Sequence, residues 1–205
     1  MKNRLEISDL SLAYGKRTIL ENISFTLAAG EAVALCGENG SGKTTLLTAA
    51  AGILRPTHGK IRRSGKVGYV PQSAALLEDM TFADNLRYFS AIARARVPQV
   101  LPLCADELRP MRVRDMSGGM KKLCSIVCTL VAAPDILLLD EPYAALDEAH
   151  AAMLTDYLGD FLQNGGSLLI AAHDADEYLP LTSRRLLLTD GSMREETLTR
   201  AEAPV

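Results

Sequence analysis

The segment GENGSGKT at 37–44 limits this chain more than any other. It follows an apolar run at 33–36 and opens an apolar helical pattern, the strand–turn–helix setting in which a glycine-rich loop wraps phosphates. Gly37, Gly40 and Gly42 let the backbone curl tightly enough for successive N–H groups to converge on anionic oxygens. The helix that starts there adds the positive end of its dipole. Lys43 can reach the β- and γ-phosphates of a nucleotide, and the Thr44 hydroxyl can ligate Mg2+.

Such a loop needs a buried parallel strand behind it, and the pattern supplies several. Apolar runs at 32–36, 136–139 and 167–172 read as buried strands, the second closing on Asp140. Helices are expected over 43–52, 81–97 (Thr81 as cap, Pro98 as stop), 118–132 and around Leu154, Tyr157, Leu158 and Phe161. Leu10, Leu12 and Tyr14 share one parity, and Ile23, Phe25 and Leu27 share another after a turn at Gly15-Lys16, which predicts half-buried antiparallel strands. Short strands near 60–63 and 67–70 flank Ser64-Gly65, a last pair brackets Asp190-Gly191, and 99–115 reads as mostly irregular. The expected fold is α/β, a mostly parallel, helix-covered core sheet with an N-terminal antiparallel β-subdomain. A short helical subdomain over 73–130 is expected as an insertion between core portions 1–72 and 131–205.

A net charge of −3 argues against a general nucleic-acid binder, which carries a basic face. The longest nearly apolar stretch, 123–133, is closed by Pro134, well short of the roughly 20 residues that span a bilayer. Membrane work would therefore fall to another polypeptide. Met1-Lys2-Asn3-Arg4 runs straight into the first strand pattern, so no leader is expected and the compartment reads as cytoplasmic. Cys36, Cys104, Cys124 and Cys128 lack zinc or disulfide spacing and read as small reduced core residues, although Cys124 and Cys128 stand one helical turn apart.

After the phosphate loop come GYVPQ at 68–72, MSGGM at 116–120, a strand ending in Asp140-Glu141 and a strand ending in His173, in that order. The series resembles the ATP-binding cassette of ABC transporters over nearly the whole chain, which implies the P-loop NTPase ABC-ATPase fold and ATP hydrolysis. On this resemblance Gly37, Glu38, Asn39, Gly40, Ser41, Gly42, Lys43, Thr44 and Thr45 hold ATP, with Tyr14 stacked on adenine. Thr44, Gln72 and Asp140 form the Mg2+ side, Asp140 acting through water. Glu141 is the general base for the attacking water, Gln72 touches metal and water, and His173 contacts the γ-phosphate and the base.

Gly118 and Gly119 open a helix whose free N-terminal amides suit an anion, with the Ser117 hydroxyl beside them. The resemblance implies that Ser117, Gly118 and Gly119 cover the γ-phosphate held by a second chain, and that Asp147 in AALD touches that partner. Two chains, as a homodimer or heterodimer, would then clamp two Mg-ATP and drive an integral membrane subunit from the inner face of the membrane. MSGGM replaces the commoner LSGGQ, and the following Lys121-Lys122 resembles the exporter branch paired with ABC-2-type membrane subunits. Only 44 residues separate Gln72 from Ser117, so the usual second amphipathic helix is expected to be reduced. The chain ends soon after its last strands, and no C-terminal regulatory domain is expected. A soluble, non-transport ABC ATPase, for example in cofactor assembly, is the alternative.

Overall fold

The computed structural model describes residues 2–172, 181–182 and 184–197. The chain begins with a hairpin of β1 (Asn3–Tyr14) and β2 (Arg17–Ala28), turned at Gly15. With β4 (His58–Arg63) they form a three-stranded antiparallel sheet in the order β2-β1-β4. Simple alternation would put Leu5 and Ile7 on the face opposite Leu10 and Leu12, yet all four are buried. A bulge reconciles them: the register slips between Ile7 and Leu10, where Asp9 takes φ 48° and its amide donates to Ser24 Oγ at 2.8 Å. Asn22, at φ 55°, does the same for Leu20 against Ile23, Phe25 and Leu27. Tyr14 shares the parity of Leu10 and Leu12 but lies at the strand's end, 56% exposed.

The second sheet runs β5-β6-β7-β3-β8-β9 and is parallel except for β9. Its members are β3 (Ala32–Cys36), β5 (Val67–Val70), β6 (Ile136–Asp140), β7 (Ser167–Ala171), β8 (Arg184–Thr189) and β9 (Ser192–Thr197). Every residue of β3, β6 and β7 is buried, as expected of strands covered on both faces. Successive side chains of β6 feed opposite cores. Ile136 and Leu138 pack with Leu46, Leu47 and the first sheet, while Leu137 and Leu139 pack with Leu86, Leu123 and Ile126.

Among the described residues four α-helices accompany the sheets: α1 (Lys43–Ala51), α2 (Phe82–Ala93), α3 (Gly118–Leu130) and α4 (Glu148–Gln163). Thr81 caps α2, its hydroxyl accepting from the Asp84 amide. The helix nevertheless ends at Arg94, which turns left-handed at φ 51°, four residues before the expected stop at Pro98. Two short 3-10 turns, Ala105–Leu108 and Val113–Asp115, punctuate the stretch read as irregular. Buried Asn85 accepts from the Leu77 amide and donates to the carbonyls of Leu77 and Thr81, fixing the loop ahead of α2. None of the four cysteines forms a disulfide, and Cys104 is exposed rather than in the core; burial pushes the Cys124 and Cys128 thiols up to about 12, which leaves them protonated and inert. No described helix is long and apolar enough to cross a membrane.

Candidate functional site

The parallel strands β3, β6 and β7 end on the same edge, where an open α/β sheet offers its ligand site. β3 runs into the phosphate loop. Gly37 sits at φ 148°, and a Cβ there would lie 2.5 Å from the Leu188 carbonyl oxygen and 2.7 Å from Ser41 Oγ. Gly42, at φ 105°, would meet Leu20 at 2.8 Å. Neither position can carry a side chain without moving its neighbours. The first bond of α1 is Leu46 N–H to the Gly42 carbonyl at 2.9 Å, leaving the amides of Lys43, Thr44 and Thr45 ahead of it as helix-start donors with no backbone partner among the described residues. The buried Ser41 hydroxyl has no hydrogen-bond partner among the described residues. Lys43 is only 6% exposed, its ammonium donating to the carbonyls of Gly37 at 2.6 Å and Glu38 at 3.2 Å. A cationic loop with orphan amide and hydroxyl donors fits an anion of several oxygens.

Thr44 Oγ1 donates to Asp140 Oδ2 at 2.7 Å, linking the start of α1 to the end of β6. Asp140 is 2% exposed, and burial pushes its carboxyl above the usual carboxylate range, against the Thr44 bond and the charges of Lys122 and Lys43. Hydroxyl and carboxylate make an all-oxygen donor pair, the chemistry Mg2+ takes. Next in sequence, Glu141 adopts φ 47°, its amide donating to the Ala171 carbonyl at 2.9 Å. That turn presents its carboxylate to Gln72, whose Nε2 donates to Glu141 Oε2 at 2.8 Å.

A cleft of about 470 Å³ brings Asn39, Gly40, Gly42, Lys43, Thr44 and Thr45 together with Gln72, Asp140 and Glu141. Gly37, Glu38 and Ser41 line an adjoining recess of about 560 Å³. Arg17 and Ile19 wall both spaces and were not anticipated. Their one signal is position, just past the Gly15 turn on the strand beside the loop. Tyr14 lines neither space. His173 lies outside the described residues.

Ser117, Gly118, Gly119 and Asp147 do not line the cleft either. Ser117 caps α3 by accepting from the Met120 amide at 3.2 Å, which leaves its own proton available. A Cβ on Gly119 would stand 2.5 Å from the Ala145 carbonyl oxygen, so glycine is required there by packing as well as by any ligand. Asp147 caps α4, accepting from the His150 amide at 2.9 Å and meeting His150 Nδ1 at 2.8 Å; the amide bond in particular holds its carboxyl below the usual range.

Residues 20–144 match the family described as ABC transporter. The cytochrome c biogenesis ATP-binding export protein CcmA of Ruegeria pomeroyi is 36% identical over 82% of this chain and 84% of its own length. The ribose import ATP-binding protein RbsA 2 of Rhizobium etli is 34% identical over 91% of this chain and 42% of its own. A solved structure described as the ATP-binding subunit of an ABC transporter superposes with a TM-score of 0.83 at 27% identity, covering 95% of this chain and 90% of that one. The chain belongs to the ABC transporter ATP-binding family, with the fold of an ABC ATPase. It is an ATP-binding subunit whose activity is ATP hydrolysis.

Proposed function

We propose that two copies of this chain close around two Mg-ATP and pass the motion to a separate integral membrane subunit at the cytoplasmic face, driving export. The observation that carries this reading is the meeting, in one cleft, of the Lys43 loop, the Thr44–Asp140 bond and the Gln72–Glu141 bond. Lys43 and the helix-start amides hold the β- and γ-phosphates, a role the lysine's charge and the amides' N–H groups suit. Bound Mg2+ would be held by Thr44 and Asp140, with Gln72 beside it, and would offset phosphate charge. Glu141 accepts the proton of the attacking water, and Gln72 holds that carboxylate in place. His173 is assigned to the γ-phosphate on the resemblance alone, and Tyr14 to adenine.

Ser117, Gly118 and Gly119 do not line their own chain's cleft, which supports their serving a neighbouring copy's ATP, with Asp147 at the same seam. ATP then adds contacts to the closed pair that the open pair lacks, and its loss lets the halves part. Residues 73–130 form the helical unit that, with the Gln72 loop, meets the membrane subunit. Export is favoured by Met120-Lys121-Lys122 and by the named activity of CcmA; RbsA 2 is an importer by name. Purification of the full chain from detergent-solubilised membranes tests the assignment. A membrane-spanning subunit should co-purify and change the ATPase rate. Recovery without such a partner, at undiminished turnover, would favour a non-transport ATPase.

A further inference from the structure

The pairing of β5 with β6 stops at Val70 and Leu139. Beyond it lie Pro71-Gln72 on one strand and Asp140-Glu141 on the other. Pro71 has no N–H, so the ladder cannot continue to the residues that matter most to the cleft. The gap is filled from α3. Lys122, 4% exposed, donates its ammonium protons to the carbonyls of Gln72 at 2.6 Å, Pro71 at 3.1 Å and Asp140 at 3.4 Å. Three donors meet three acceptors. Burial lowers the pKa of this ammonium, while the carboxylates of Asp140 and Glu141 favour its charged form.

We propose that Lys122 is a positioning residue for ATP hydrolysis, clamping the backbone of Gln72 to that of Asp140 so that the Gln72 amide stays on Glu141. It also ties this pair to α3, which Ser117 caps and Gly118 and Gly119 open. Lys122 does not line the cleft; it acts through Gln72. The inference rests on the assignment of Gln72 and Glu141 to the hydrolytic step.

The test is a kcat-against-binding comparison on the full chain. Lys122→Met keeps the length of the side chain and removes its donors and charge. It should lower kcat by about tenfold or more while leaving the Kd for a non-hydrolysed Mg-ATP analogue within about twofold. Lys122→Arg, which keeps cation and donors, should recover most of kcat. In a Gln72→Ala background, Lys122→Met should add less than about twofold, because the group it positions is gone. If Lys122→Met does not fold, Lys122→Gln carries the same cycle. Parental kcat in Lys122→Met, equal losses of binding and turnover, or a full multiplicative loss in the double variant would overturn the proposal. Glu141→Gln separates the two levels. Turnover surviving that change sinks the assignment of the pair, whereas its loss beside parental kcat in Lys122→Met sinks only the role of the lysine.

Discussion

Adjacent glycines at the start of α3 differ sharply in what an added methyl would meet, and this sets up a controlled perturbation. Gly119→Ala places a Cβ 2.5 Å from the Ala145 carbonyl oxygen, whereas Gly118→Ala places one 3.4 Å from the Ala145 Cβ. The first must push a backbone carbonyl by most of an ångström; the second makes an ordinary if tight contact. Overpacking of the first kind costs about 1–3 kcal/mol. Both changes gain a similar helix-propensity term, up to about 1 kcal/mol, so it cancels in their difference. At about 2–4 °C per kcal/mol for a chain of this size, Gly119→Ala should melt roughly 2–12 °C below Gly118→Ala. Thermal unfolding of the two nucleotide-free variants, followed by circular dichroism, measures this directly. Equal melting temperatures would show that Ala145 does not press on α3 and would refute the packing argument for Gly119.

Tyr14→Ala should weaken nucleotide binding by about 2- to 13-fold, the worth of one aromatic stack, with ATP and GTP affected alike and Tyr14→Phe nearly silent. Fluorescence titration checks it, and an unchanged Kd would remove Tyr14 from the site. Asp140 carries a folded-state pKa raised chiefly by burial, so its ionised form costs stability above that pKa, and the cost is relieved as pH falls through it toward the unfolded value. Asp140→Asn should therefore raise the melting temperature of the nucleotide-free protein at neutral pH, with the gain gone by about pH 4. A lower melting temperature at neutral pH would reverse the sign and contradict it. The same variant should lose Mg2+-dependent turnover.

Much of the site was legible because its chemistry is local. Gly40, Gly42, Lys43, Thr44 and the Asp140-Glu141 pair sit at the ends of strands whose apolar runs are plain to read, and the structure brings them into one cleft, with Gly37 in the adjoining recess. Where contacts depend on tertiary approach, the sequence is silent. A lysine in the first turns of a helix reads as a solvated side chain, and nothing in MSGGMKK announces that Lys122 is buried under Pro71 and Gln72. Arg17 and Ile19 enter the cleft only because β2 passes beside the loop. The bulges at Asp9 and Asn22 break the alternation that parity reading assumes, and Arg94 ends α2 by a left-handed turn that Pro98 obscured. The resemblance gives Gly119 to an anion, yet the carbonyl of Ala145 also forbids a side chain there.

The proposed sharing of the catalytic pocket between two copies is tested most directly by light scattering on Glu141→Gln with saturating Mg-ATP. Hydrolysis being blocked while binding is kept, the protein should run at twice the mass of the chain, and Lys43→Ala should not. Glu141→Gln remaining a single chain with nucleotide demonstrably bound, alongside parental turnover per chain that does not change with protein concentration, would contradict the account.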